Sequence, residues 1–254
     1  DALFWTPEWG RQWDRPAIWN GNHLYGPGRL HKVTVYTDQG LTGIGWNGGT
    51  AAERPLGLMP GYVDYFRPLL VGQDPLDTVG IVDSLGEKQI KILGPAGLNT
   101  QVLAAINIAC WDIKGKYEGK PVHQLLGGAQ DRIRTYIAGG YYAEGKGLSE
   151  LEDELCYNVQ ELHSTAVKIK IGASNAGFDL DMKRVAASRG AIGPNVDLMV
   201  DANCAYKHFE AIEIARKMEP YDVFWFEEPI APDDYKGHQL ISGATTIPIA
   251  TGEN

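Results

Sequence analysis

The run Val167-Lys168-Ile169-Lys170-Ile171 alternates two lysines with three β-branched residues. In an extended strand this spacing puts both ammonium groups on one face and the apolar side chains on the other. At a solvated sheet edge such alternation is ordinary. Inside a closed sheet the lysines would be desolvated and close together, each lowering the other's pKa, and a lysine tuned in that way is a general base. Three acids follow, each behind a short apolar or small-residue run: Asp201 after Leu198-Met199-Val200, Glu227 after Phe224-Trp225-Phe226, and Glu253 after Ile249-Ala250-Thr251-Gly252. Both intervals are 26 residues. Taken singly, each acid reads as a helix cap or a solvated surface group. As an equally spaced set behind a Lys-x-Lys strand they read as one site, because three carboxylates are buried together only around a cation. All-oxygen ligation suits Mg²⁺, which keeps positions open for water or substrate.

Those residues need a scaffold that brings distant strand ends to one place. From residue 131 onward, strand and helix patterns alternate, the signature of parallel βα units. The strand candidates are Ile133–Ala138, Val167–Ile171, Leu198–Val200, Phe224–Phe226 and Ile247–Ala250. Amphipathic helices lie between them, one with Leu151, Leu155, Val159 and Leu162 behind a Ser149/Glu152 capping box, another with Ala211, Ile212, Ala215 and Met218. The acids at the strand ends favour a barrel over an open doubly wound sheet, and no glycine-rich nucleotide fingerprint follows the first strand. Upstream, residues 1–29 are rich in Trp, Pro, Gly and Asn without a steady period and predict a loop. The segment from Lys32 to Trp46, turning at Asp38-Gln39-Gly40, predicts an antiparallel hairpin. Val102, Ile106, Ala109 and Ile113 predict a helix capped at Asn99-Thr100. The expected fold class is therefore an α+β capping domain, residues 1–130, followed by a partial TIM-like (β/α) barrel with its first five strands in residues 131–254.

Lys168-x-Lys170, Asp201-Ala202-Asn203, Glu227-Glu228-Pro229 and Gly252-Glu253-Asn254 resemble the mandelate racemase branch of the enolase superfamily, and the likeness spans most of the chain. Ile113-Lys114-Gly115-Lys116 through Pro121 and Leu125-Leu126-Gly127-Gly128 are similar to the family's signature helix and its link into the barrel, with departures at Asn107 and Cys110. The resemblance implies that Asp201, Glu227 and Glu253 ligate Mg²⁺, that Lys170 is the base and Lys168 its support, and that Asn203 reaches substrate or metal. It implies abstraction of the proton next to a carboxylate through an enediolate, leading to dehydration of a sugar acid, with racemisation or epimerisation of a 2-hydroxy acid as the alternative. The usual second acid or base, a His on a later strand, has no match among the six histidines. Trp13, Trp19, Asn20, His23 and Tyr25 either close over the barrel mouth as substrate contacts, Trp19 and His23 foremost, or simply pack their loop.

Composition narrows the partners. Thirty-two acidic against 23 basic residues give a net charge of −9 with no basic stripe, which argues against nucleic acid. No apolar run approaches the ~20 residues of a membrane span, and a cytoplasmic location is expected. The three cysteines, Cys110, Cys156 and Cys204, form no CxxC pair and are expected to be reduced packing residues. The chain starts without Met and ends directly behind an apolar run, as a fragment would; five strands leave an open sheet edge that a homo-oligomer would cover. Readings of other classes are an inactive or merely metal-binding fragment and a barrel glycosidase using two carboxylates without metal.

Overall fold

The computed structural model describes residues 18–19, 24–51, 58–173 and 177–253. Two compact units divide them: residues 27–132 form the first, and the second runs from residue 133 to 253 and takes in residues 18–19 and 24–26. His23, Trp13 and Asn20 lie outside the described residues.

Strands β1 (Ile18–Trp19), β2 (Leu24–Tyr36) and β3 (Thr42–Ala51) replace part of the loop expected over residues 1–29 and lengthen the predicted hairpin at both ends. The Trp- and Gly-rich stretch hides them because backbone pairing, not an apolar period, organises them: Ile18 pairs with Tyr25 and Trp19 with Leu24. The hairpin turn between β2 and β3 closes through Thr37, whose N–H and hydroxyl both donate to the Leu41 carbonyl at 3.0 Å. In the first unit, β2 and β3 are joined by helices α1 (Met59–Leu70), α2 (Thr78–Ile90), α3 (Leu98–Glu118) and the short α4 (Val122–Leu125). Val33, Met59, Phe66, Leu85, Val102 and Ile106 form the core. Strand β3 lies so close to α3 that a Cβ on Gly45 would stand 1.7 Å from the Ala105 carbonyl oxygen, so only glycine fits there. The α3 cap falls earlier than expected. Gly97 takes the cap position, while Asn99 and Thr100 sit in the first turn and donate back to the Gly94 and Pro95 carbonyls. Of the two departures on this helix, Asn107 donates to the Thr78 carbonyl at 3.2 Å and Cys110 is buried in the core.

In the second unit, β4 (Ile137–Ala138) and β5 (Tyr142–Ala143) precede α5 (Leu148–Gln160), β6 (Ala166–Lys170), α6 (Gly177–Ile192), β7 (Asp197–Asp201), α7 (His208–Met218), β8 (Val223–Glu227), α8 (Tyr235–Ser242) and β9 (Ile249–Ala250). β5 pairs antiparallel with β1, and the other strands make a parallel sheet in the order β4-β6-β7-β8-β9. A doubly wound sheet would reverse direction partway; this one steps monotonically with the chain, as the strands of a (β/α) barrel do. Leu151, Leu155, Val167, Ile169, Val185, Leu198, Val200, Ile214, Phe226 and Ile241 form its core. Only two residues of the predicted first barrel strand pair, since Ile133 is exposed and Arg134 turns to the Thr165 carbonyl and the Asp197 carboxylate. The last strand starts at Ile249 instead of Ile247, because Pro248 has no N–H to give the ladder and contributes only its carbonyl, to Phe226. The α5 cap also differs: Gly147 holds the cap position and its N–H donates to Glu150, leaving Ser149 inside the first turn and Leu162 exposed beyond the helix. At the end of the sheet where the strands begin, Arg189 of α6 donates to the carbonyls of Gly193, Val196, Tyr221 and Asp222. It ties α6 to the starts of β7 and β8.

Candidate active site at the strand ends

Parallel pairing puts Lys170 of β6 level with Asp201 of β7, Asp201 with Glu227 of β8, and Glu227 with Ala250 of β9. Side chains alternate along a strand, so residues in register share a face. Lys170, Asp201 and Glu227 thus form one row, and Lys168, Met199 and Trp225 form the row beneath. Glu253, three residues past the end of β9, completes the upper row. One oxygen from each of Asp201, Glu227 and Glu253 lies within 4.8 Å of the others. Among the described residues this is the one such group of potential metal ligands. Asp201 is fully buried, Glu227 half-buried and Glu253 exposed, which leaves one side of the cluster open.

The lysines are matched to these acids. Lys170 Nζ donates to Asp201 Oδ2 at 2.5 Å and to Asn203 Oδ1 at 2.8 Å, and Lys168 Nζ to Glu227 Oε1 at 2.6 Å, with Asp201 3.5 Å away. Burial alone would lower the Lys168 ammonium. At Lys168 the carboxylate partners outweigh burial: the hydrogen bond to Glu227 and the charges of Asp201 and Glu227 raise the ammonium above the usual lysine range. Formally two ammonium groups face three carboxylates, and the hard, oxygen-only donor set fits a divalent cation such as Mg²⁺.

Aromatic groups that sequence reasoning missed wall the cluster. The Lys168 ammonium lies 5.2 Å from the Tyr136 ring centre and the Lys170 ammonium 5.5 Å from that of Tyr141. Burial first, then the nearby carboxylates, push the Tyr141 phenol up, with Lys168 opposing. Trp225 donates from Nε1 to Glu227 Oε2 at 3.0 Å and stands edge-on to Tyr136. Trp225 was legible in principle, two residues before Glu227 on the same face; Tyr141 was not, since it follows Gly139-Gly140 outside any periodic run.

The strand ends are also strained. Asn203, Cys204 and Glu228 have left-handed backbones, φ 44°, 63° and 40°. Such conformations in non-glycine residues cluster at functional sites. They are held by bonds between neighbouring strand ends: Cys204 N–H to the Glu228 carbonyl at 2.7 Å and Glu228 N–H to that of Ala250 at 2.8 Å. Asn203 N–H donates to Asp201 Oδ1 at 2.9 Å. Cys204 is a free thiol that lies 3.8 Å from the buried Glu228 carboxylate and is pushed up to about 12 by burial and by that charge. Trp19 is placed by its backbone, paired with Tyr142 next to Tyr141. His208 and His238 lie on α7 and α8.

Residues 150–254 match the family described as enolase C-terminal domain-like, and residues 26–127 match the mandelate racemase / muconate lactonizing enzyme N-terminal domain. The chain is 35% identical over 187 residues to arabinonate dehydratase of Saccharolobus solfataricus, covering 72% of this chain and 48% of that one. It is 34% identical over 224 residues to D-galactarolactone cycloisomerase of Agrobacterium fabrum, covering 87% and 56%. A Bradyrhizobium enolase complexed with magnesium and mandelic acid superposes with a TM-score of 0.81 at 29% identity, over 94% of this chain and 63% of that one. The chain spans about half the length of the curated relatives it matches. Among the described residues no helix is long and apolar enough to cross a membrane.

Proposed function

The chain belongs to the mandelate racemase branch of the enolase superfamily, and from that premise we propose that its strand ends abstract the proton next to the carboxylate of a sugar acid, toward dehydration. The observation that carries the reading is the placement of Lys170 in one row with Asp201 and Glu227, within hydrogen-bond reach of Asp201 and beside three carboxylates that converge within 4.8 Å.

In this reading Asp201, Glu227 and Glu253 hold Mg²⁺. When bound, Mg²⁺ supplies positive charge against the second negative charge that develops on the substrate carboxylate as it becomes an enediolate. The chain's own groups do the rest. Lys170 Nζ accepts the α-proton in its neutral amine form, and the hydrogen bond it donates to Asn203 Oδ1 fixes its direction. Lys168 meets the substrate carboxylate, which answers the electrostatic problem of an acidic protein receiving an anion. Tyr136, Tyr141 and Trp225 exclude water from one side, where low polarity strengthens each of these charges. Trp19, whose strand neighbours Tyr142, and His23 are proposed to contact the substrate's hydroxyl groups.

Dehydration is supported by the likeness to arabinonate dehydratase. Racemisation or epimerisation on the same residues is the second reading, supported by the mandelic acid in the Bradyrhizobium neighbour. The test is α-proton exchange in D₂O with a panel of sugar acids and Mg²⁺, for the parent and Lys170→Ala. Exchange that requires Mg²⁺ and vanishes in Lys170→Ala is the expected result. Exchange that survives the substitution, or that is unaffected by EDTA, would refute the assignment.

A further inference from the structure

Helix α6 carries two charged residues, one turn apart, that are almost completely buried: Asp181 and Arg184 are 1% and 2% exposed. Neither belongs to the row of lysines and carboxylates. Arg184 Nε donates to the Lys170 carbonyl at 3.0 Å, its Nη2 donates to the Gly140 carbonyl, and its guanidinium lies 4.1 Å from the centre of the Tyr142 ring. Asp181 accepts from the Gly172 N–H at 2.9 Å, from the Tyr206 hydroxyl at 2.8 Å and from the Tyr142 hydroxyl at 3.4 Å.

Apart from Tyr142, which opens β5, these partners stand at or just beyond the end of a strand, on the side where the candidate chemistry lies. Gly140 follows β4 and precedes Tyr141, Lys170 ends β6, Gly172 lies two residues beyond it, and Tyr206 follows the Asp201-Ala202-Asn203 turn. A buried ion-bearing pair is a costly way to fill space, and apolar residues of similar volume pack as well or better. On the same helix Val185 and Ile192 do that work. Arg189, which also binds carbonyls, does so at the opposite end of the sheet, where it joins strand starts.

We propose that Arg184 and Asp181 are positioning residues that lock the end of β6, and so aim the Lys170 side chain at the substrate's α-carbon. The planar guanidinium spans the carbonyls of Gly140 and Lys170, and the carboxylate catches the next available N–H, that of Gly172, whose φ of +84° only glycine adopts readily. Lys170 is thereby held on its carbonyl side by α6 and on its amine side by Asp201 and Asn203. Its nitrogen has little freedom left, which is what a near-attack geometry requires. The consequence for catalysis rests on the proton-abstraction reading; the lock itself does not.

The test uses the whole chain and the variants Arg184→Met, Arg184→Lys and Asp181→Asn. Amide hydrogen exchange is read at Ile171 and Gly172 against Ile214 in α7, with α-proton exchange of a sugar acid and Mg²⁺ affinity alongside. For Arg184→Met we expect exchange at Ile171 and Gly172 to accelerate about tenfold or more with Ile214 unchanged, and kcat to fall about tenfold or more while KM and the Mg²⁺ affinity stay within about twofold. Arg184→Lys should recover part of both, since it reaches one carbonyl. Unchanged protection at Ile171 and Gly172 would overturn the proposal, as would a loss of kcat matched by an equal loss of Mg²⁺ affinity. If Arg184→Met does not fold, Asp181→Asn, nearly identical in volume, decides through the Gly172 amide. If the parent exchanges no α-proton, the proton-abstraction reading fails, and the amide measurements still decide whether the lock exists.

Discussion

Replacing Asp201 by Asn changes the shape of the site little and removes one charge from its centre. Asp201 is 0% exposed and Lys170 4% exposed, and the pair meets at 2.5 Å with Asn203 as the other oxygen on the ammonium. Lys170 then keeps a neutral partner and loses its carboxylate. Breaking a buried pair from one side costs about 3–5 kcal/mol, because the remaining charge is stranded. In a chain of this length about 2–4 °C of melting temperature accompanies each kcal/mol, so Asp201→Asn should melt about 6–20 °C lower. The measurement is a calorimetric melt of parent and variant in EDTA, so that no bound metal enters the comparison. A second variant sharpens it. Lys170→Met with Asp201→Asn removes the stranded charge and should be more stable than Asp201→Asn alone, giving a favourable coupling in a double-mutant cycle. A fall of less than about 3 °C in the single variant, or a double variant no more stable than Asp201→Asn, would refute the claim that the pair is buried and mutually dependent.

Two further outcomes follow from packing and burial. Gly45→Ala should destabilise the first unit by about 3 kcal/mol or more in urea unfolding, since its Cβ would stand 1.7 Å from the Ala105 carbonyl oxygen; unchanged stability would mean that β3 lies farther from α3. Burial pushes the Cys110 thiol from its ordinary 9.0 up to about 11. The folded value lies above the unfolded one, so the stability tied to this proton is complete below pH 9 and is lost as the pH rises through about 11. Cys110→Ala should therefore lose less stability than the parent over that window, and parallel curves would contradict the assignment.

What could be read from the sequence was whatever repeats. Val167 to Ile171 alternates cleanly because one face packs on helices and the other lines the site, so both strand and facing were legible. The acids at 201, 227 and 253 were legible as a set because one βα unit separates each from the next. Features fixed by single hydrogen bonds were not. The first barrel strand shrank to Ile137–Ala138 because Arg134 engages Thr165 and Asp197, a long-range choice that no local pattern encodes. Asp181 and Arg184 sit on a helix whose apolar period is weak, where a charged residue reads as solvent-facing until its partners on three other segments are known. The left-handed backbone at Cys204 and Glu228 is likewise imposed from outside, by bonds between adjoining strand ends.

The carboxylate row also bears on how the sheet is held together. Asp201, Glu227 and Glu253 belong to three separate βα units, and the last of these strands, β9, pairs over two residues only. An ion shared by all three would act as a cross-link closing two successive chain segments, each of 26 residues, so its binding free energy would add directly to the docking of β9 against β8. Cation affinity and the seating of this two-residue edge strand would then be one equilibrium seen from two sides: weakening either would loosen the other, and metal titration would gauge how firmly the outer strand is held.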